Sequence, residues 1–293
     1  MAGLRDIKRR IRSVQSTRKI TRAMQMISAA KMKRAQTMAV NNRTYAELAW
    51  NLVQNIARTG SYNHPLIYAH PKGSKIGIVL LSSNKGMVGG LNTNLLGALK
   101  KIEQQEAETI AEIITYGKKG NTAVSILKKQ VIADFPKLDR TIAAEEIYPI
   151  SQMVGEMYVS GQYRKIYILY NQFVSTLSQK PVAKQILPFS ESIRQELLGE
   201  YDEPLPTDVS YTFEPDPKDV LEHLLPRILE SQIYEAILES DASEHSARMV
   251  MMKNATEAAG DLISDLTLTY NQLRQNKITT ELAEITAGKI ALE

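Results

Sequence analysis

The chain has 293 residues, 43% hydrophobic and 23% charged, which is enough apolar material for one large core or two ordinary ones. It has no cysteine, which excludes disulfides and thiol chemistry. Its longest apolar runs, such as Ile76 to Leu81, are far too short to span a bilayer. The net charge of +4 is unevenly placed: up to Arg34, eleven basic residues face one acid, Asp6, so this segment carries +10 and the remainder −6. Such a basic end suits an acidic partner, whether nucleic acid, an anionic membrane or carboxylates on another protein. The start lacks the apolar core and small-residue cleavage site of a signal peptide, so a soluble, cytoplasmic chain is expected.

Leu4 to Ala57 predicts one long helix, whole or broken once, because Pro is absent and no Gly falls between Gly3 and Gly60. Ile7, Ile11 and Val14, then Ala23, Met24 and Ile27, form an apolar stripe through this basic segment. Gly60 to Gly73, with His64-Pro65 and His70-Pro71, is a connector. The period then changes. Ile76 to Leu81 predicts a buried strand, followed by a Gly-rich turn from Ser82 to Asn92 and a helix from Leu91 to Glu108. Ile110 to Tyr116 is a second strand ending at Gly117. A helix from Lys118 to Lys128, a short strand at Val131 to Phe135, a helix from Glu145 to Gly161 and strands at Lys165 to Tyr170 and Val182 to Pro188 follow. This alternation argues for a mostly parallel sheet with helices on its faces.

Gly199 to Pro217 is a second connector. Asp216-Pro217 starts the last helix, since Pro suits a first turn, and Pro226 is expected to kink it or mark a restart. From there to Leu292 the helix would be roughly 100 Å long at ~1.5 Å per residue, too long for a domain of this size to bury. Met252, Ala255, Ala259, Leu262, Leu266, Thr269 and Leu273 recur at steps of three and four, a heptad seam. Two such seams, separated by most of the chain, describe two terminal helices that wind around each other: a shaft with a head.

Catalytic chemistry has no visible carrier. The Ser82–Asn92 turn follows a strand and opens a helix, where backbone amides can cradle phosphate. It lacks both the Gly-Lys-Ser/Thr ending of a P-loop and Gly-x-Gly-x-x-Gly spacing; a tight turn and an exposed protein-contact loop carrying Lys85 are the other readings. His64, His70, His223 and His245 are scattered. Glu281 and Glu284 lie one helical turn apart, but two carboxylates make a weak metal site and a solvated or partner-facing edge fits them better. The basic first helix could bind nucleic acid, yet no aromatic residue precedes Tyr45 for stacking on bases; a solvated coiled-coil face explains it equally well. Met24, Met26, Met32, Met38, Met249, Met251 and Met252 cluster in the terminal helices, either as adaptable seam filling or as a surface that slides past several partner arrangements.

Three segments carry a family resemblance. Leu4 to Met26 (LRDIKRRIRSVQSTRKITRAMQM), continuing through Ala29 to Gln36, resembles the N-terminal helix of the γ subunit of F-type ATP synthase. The turn Ser83 to Asn92 (SNKGMVGGLN) resembles that family's Gly-rich loop. Ser243 to Met249, Asn254 to Thr256, Leu266 to Asn271, Arg274-Gln275 and Ile278 to Ile285 are similar to its C-terminal signature.

The resemblance implies an antiparallel coiled coil of the terminal helices (1–60 and 210–293) and a Rossmann-like α/β domain (61–209) at the membrane-proximal end. Its partners would be a hexamer of α and β subunits, the ε subunit and the ring of c subunits, with no cofactor, no nucleic acid, and membrane association only through partners. Ion flow would turn the ring and this shaft with it, driving ATP chemistry in the β subunits while the chain itself catalyses nothing. By the same resemblance, Arg274, Gln275, Thr279 and Glu281 contact β, as do Lys85 and Val88 of the loop and Met24 nearby. Tyr211, Phe213 and Glu214 would meet ε and the ring. Ile285, Ile290, Ala291 and Leu292 would turn within a hydrophobic sleeve. The implied location is the cytoplasmic face of a bacterial cell membrane, the chain opening on its helix without a transit peptide. Val88 stands where the family often has Cys, Asn84-Lys85 replaces the usual Asp-Arg, and Lys289 puts a charge near the shaft tip. Without the chloroplast-type cysteine insert, thiol regulation is not expected.

Overall fold

Freed of Pro and internal Gly, Leu4–Thr59 forms one uninterrupted helix of 56 residues, α1, in a computed structural model of the chain. The structure describes residues 3–59, 64–68, 70, 73–106, 109–140, 142–189 and 216–290. After α1 come β1 (Lys75–Leu81), α2 (Leu91–Gln105), β2 (Ile110–Tyr116), α3 (Lys118–Ile126) and β3 (Val131–Phe135). A 3-10 turn at Ala144–Ile147 leads into α4 (Tyr148–Val159), and β4 (Tyr163–Ser175), β5 (Ser178–Leu187) and α5 (Pro217–Ile290) complete the described chain. The helix expected from Glu145 to Gly161 is thus divided between the 3-10 turn and α4, whose first turn accepts Pro149 because no helical N–H is needed there.

The sheet order is β3-β2-β1-β4-β5. β1 pairs in parallel with β2 and β4, β2 pairs in parallel with β3, and β4–β5 is an antiparallel hairpin. Alternate side chains of β1 serve two cores, as the two-residue period of a strand requires. Ile76, Ile78 and Leu80 pack with Leu95, Leu99 and Ile102 of α2 and Val124 of α3. Val79 and Leu81 join the larger cluster, which includes Val154 and Tyr158 of α4, Leu225, Ile233 and Ile237 of α5, and Ala49 and Val53 of α1.

α5 is one helix of 74 residues that includes Pro226, rather than two helices restarting there. Asp216 opens it, its Oδ1 accepting from the amides of Lys218 (2.8 Å) and Asp219 (2.9 Å). The hydrogen bond that Pro226 cannot make belongs to the carbonyl of Glu222, an exposed residue that water can serve. On the opposite side, Leu221, Leu225, Ile228 and Leu229 are buried and keep the helix seated.

The chain divides into two compact units, Met1–Ala29 with Arg248–Glu293, and Ala30–Ala247. The division falls inside both long helices and not at the connectors, because α1 beyond Ala30 and α5 up to Ala247 belong to the hydrophobic cluster of the sheet. In the first unit the helices run antiparallel. The Thr21 hydroxyl meets that of Thr256 at 2.7 Å, and the guanidinium of Arg18 lies over Gly260, so numbering falls along one helix as it rises along the other.

The covered stripe in this unit is shifted from the expected one. On α1, Ile7, Thr21 and Ser28 are buried and Ile11, Val14, Met24 and Gln25 half-buried, whereas Ala23 and Ile27 point outward. On α5, Met252 and Ala259 are buried and Ala255, Thr256, Ile263, Leu266, Tyr270 and Leu273 half-buried. Leu262 is 46% exposed and Thr269 is exposed, correcting their assignment to the seam. A helix with 3.6 residues per turn drifts against a 3.5-residue repeat, and the stripe passes from Ala255 to Thr256 and onward to Ile263 and Tyr270.

Candidate functional site

The Ser82–Asn92 turn leaves the carboxyl end of β1, where the strand order reverses between β1 and β4. Open α/β sheets bind their ligands in the crevice at this point. Here the polar groups of the turn serve one another. The Ser82 hydroxyl donates to the Gly117 carbonyl (2.9 Å) and accepts from the Gly120 amide (2.7 Å). Asn92 accepts from the Ser83 amide (3.3 Å) and donates to its hydroxyl (2.8 Å). Lys119 N donates to the Ser83 carbonyl (3.0 Å) and Lys118 N to Asn84 Oδ1 (3.2 Å). The amides of Ser83, Lys118, Lys119 and Gly120 at this end of the sheet are thus engaged within the fold.

The crevice itself is filled by α5. Ala247 forms a buried cluster with Val88 and Leu91. The Ser246 hydroxyl donates to the Thr176 carbonyl at the β4–β5 hairpin (2.8 Å). Lys137, which follows β3, sits between Asp241 and Glu244 of α5 at 2.6 Å from each. Loops after three strands therefore grip one helix where other α/β folds hold a ligand. Burial pulls the Lys137 ammonium down, but the two carboxylates more than offset this and hold it above its ordinary range.

This packing corrects one expected contact. Val88 is 4% exposed against α5 and has no face to offer another chain. Lys85 remains exposed and forms an ion pair with Asp139 (2.7 Å); the hydrogen bond from Lys85 holds the Asp139 carboxyl below its usual value. Lys31 donates to the Asp139 carbonyl at 2.6 Å. Met24 is half-buried in the coiled-coil unit.

Near the end of α5, Arg274, Gln275, Thr279 and Glu281 are all exposed. Arg274 and Glu281 are seven residues apart and share a face. Thr279 donates to the Gln275 carbonyl (3.0 Å), and Glu281 pairs with Lys277 (3.4 Å). Among them Ile278, Leu282 and Ile285 are 49%, 59% and 70% exposed, an apolar surface that the unit does not cover. Tyr211, Phe213, Glu214, Ala291 and Leu292, and the side chain of Ile290, lie outside the described residues. Among the described residues, Glu281 and Glu284 do not join a cluster able to hold a metal. His64 Nδ1 accepts from the Leu66 amide (3.2 Å), while burial lowers its pKa against the raising effect of Glu222. The ring of His70 lies 4.8 Å from that of Tyr158; both histidines serve the fold locally.

Sequence reasoning passed over Lys137, Asp241 and Glu244. The one signal available is an acidic pair a helical turn apart within a Ser-rich stretch of α5.

Two long helices, joined as an antiparallel coil in one unit and built into an α/β sheet in the other, define a stalk-type chain. A family model described as ATP synthase matches residues 3–292. The chain is 41% identical over 297 residues to an ATP synthase gamma chain of Haemophilus influenzae (strain PittEE), with all of both chains covered. It is 39% identical to an ATP synthase gamma chain of Psychrobacter cryohalolentis, also over the full length of each. Its fold is similar to a chain in the rotor of the Euglena gracilis mitochondrial ATP synthase, with a TM-score of 0.65, 18% identity, and 94% of this chain and 98% of that chain covered. The chain belongs to the ATP synthase gamma-chain family. No helix among the described residues is long and apolar enough to cross a membrane.

Proposed function

We propose that this chain is the central rotor shaft of an F-type ATP synthase, coupling ion-driven rotation of a ring of c subunits to ATP synthesis or hydrolysis in β subunits. The observation that carries the reading is the last stretch of α5, where Ile278, Leu282 and Ile285 stand exposed among Arg274, Gln275, Thr279 and Glu281. Apolar side chains left uncovered along a helix call for a sleeve from other chains. The α and β hexamer supplies that sleeve, and Lys85 presents its charge to an acidic loop of β. In this reading 1–60 and 210–293 are the shaft, and 61–209 form the domain that meets ε and the ring at the cytoplasmic face of the cell membrane. The chain contributes no reacting group; its own helix fills the crevice where a nucleotide would sit.

Reconstitution with α and β subunits tests this. A bead attached through a cysteine introduced at an exposed site should rotate in one direction with ATP. The chain's lack of native cysteine makes the attachment unique. A hexamer that hydrolyses ATP without incorporating the chain, or holds it without turning it, would exclude the role.

A further inference from the structure

Beneath the turn of half-buried Asn84 and exposed Lys85 lies a connection that neither family membership nor the rotor reading assigns. The side chains of Lys137, Asp241 and Glu244 are 8%, 10% and 6% exposed, so one cation is enclosed by two anions inside the sheet-bearing unit. The backbone of Lys137 faces the other way: its carbonyl accepts from Asn84 Nδ2. Two residues on, Asp139 pairs with Lys85 and takes Lys31 on its carbonyl. Asn84 also accepts from the Lys118 amide (3.2 Å), which ties the turn to the start of α3. A continuous set of polar contacts therefore joins α5, through Lys137, to the turn that carries Lys85.

Its chemistry suits fixing position more than adding stability. A buried ion triad gains little over an apolar replacement of the same volume, but its geometry is demanding, and a cation held between two carboxylates a helical turn apart has few alternative registers. An apolar contact such as Ala247 on Val88 can slide; the charge-assisted hydrogen bond from Lys137 to Glu244 and its ion pair with Asp241, each at 2.6 Å, cannot slide without breaking.

We propose that Lys137 is a positioning residue that locks the Asn84–Lys85 turn to α5, so that force on the shaft helix and force on the turn are transmitted without slip. The proposal rests on the rotor reading. Lys137 touches no partner in this account; it acts by holding the turn that does.

The experiment uses the chain assembled with α and β subunits and combines amide hydrogen exchange with bead rotation under load. In Lys137→Met/Asp241→Asn/Glu244→Gln the charges are removed together, so that no buried ion is left unpaired. Exchange in residues 83–92 should rise about tenfold while residues 76–81 of β1 keep the rate of the unsubstituted chain. The torque sustained before stalling should fall, and Lys137→Arg should retain both properties. Asn84→Ala, which cuts the turn from the Lys137 carbonyl and leaves the triad intact, should speed exchange in 83–92 in the same way, and it decides the matter if the triple variant does not fold. Unchanged exchange in 83–92, or an equal rise in β1 and the turn, would overturn the proposal, as would a stalling torque equal to that of the unsubstituted chain. Failure of the unsubstituted chain to rotate would instead remove the rotor reading and leave the exchange result to judge whether Lys137 holds the turn.

Discussion

The hydroxyls of Thr21 and Thr256, 235 residues apart in sequence, lie 2.7 Å from each other between α1 and α5. Both belong to the coiled-coil unit, and Thr256 also donates to the Met252 carbonyl one turn back. A hydroxyl pair across the covered stripe fixes register, because a shift of either helix separates the two hydroxyls. Replacing one Thr by Val should cost about 1 kcal/mol or less by removing the bond between the helices, since the remaining hydroxyl can still donate to a carbonyl of its own helix, that of Arg18 for Thr21 and of Met252 for Thr256, and the double Val variant should cost less than the sum of the two. Urea unfolding of the four members of this cycle measures the coupling. Strictly additive single effects would mean that the two hydroxyls do not interact.

Two glycines should respond in opposite directions to alanine. Gly97 lies on the exposed side of α2, and a Cβ there would meet nothing within 4 Å. Gly97→Ala should stabilise the chain by about 0.5–1 kcal/mol by restricting the unfolded backbone. Gly117 has φ +103°, and a Cβ there would collide with the Ser82 carbonyl oxygen. Gly117→Ala should destabilise by several-fold more, since it combines a strained backbone with displacement of the turn. Melting temperatures that move together would contradict the assigned backbone geometry.

Acid should weaken the sheet unit through two carboxylates at the amino ends of its parallel strands. Glu106 accepts from Lys165 (3.0 Å), Tyr167 (2.8 Å) and Arg164, and Glu112 from Lys75 (2.8 Å), Gln130 (3.2 Å) and Tyr163. Burial pushes both carboxyls up, but the surrounding donors more than offset it and leave each below its ordinary value. The unfolded chain then binds more protons in acid than the folded one. The stabilisation is present above the unfolded value of about 4.3 and is lost as pH falls through the lower folded value. Stability measured in urea should fall from about pH 5 downward, and Glu106→Gln should start lower and fall less steeply. An unaltered slope in Glu106→Gln would assign the acid loss to other carboxylates.

Much of the fold was legible because its signals are local. The absence of Pro and Gly marked α1, and β-branched runs bounded by Gly marked β1 and β2 almost to the residue. What escaped depended on tertiary packing. Residues 231–247 of α5 are covered on nearly every side although they include Ser231, Gln232, Ser240, Asp241, Ser243, Glu244 and Ser246. Composition alone presents such a segment as a solvent-facing surface, because nothing in it announces the Lys137 ammonium more than a hundred residues away. Val88 failed for the converse reason. A Gly-rich turn reads as exposed, and only the arrival of Ala247 shows that its apolar residue is a contact within the fold.

The phase of the coiled coil gives the last test, since it distinguishes the observed stripe from the heptad that spacing alone suggests. Leu262 and Ile263 are neighbours, but Leu262 is 46% exposed and Ile263 is half-buried, as is Leu266. An Asp at a covered position must give up hydration without a partner, at a cost of about 1–3 kcal/mol or more, whereas an Asp at an outward position stays in water. Ile263→Asp and Leu266→Asp should therefore unfold the coil at clearly lower urea than Leu262→Asp. Arg9→Glu removes only the Asp6–Arg9 pair, whose side chains are 56% and 83% exposed, and should cost about 0–1 kcal/mol. Circular dichroism of the full chain through a urea series ranks the four. If Leu262→Asp proves the most damaging of the three seam variants, the stripe follows Leu262 and Thr269 after all, and the phase set by Thr21 and Thr256 is wrong.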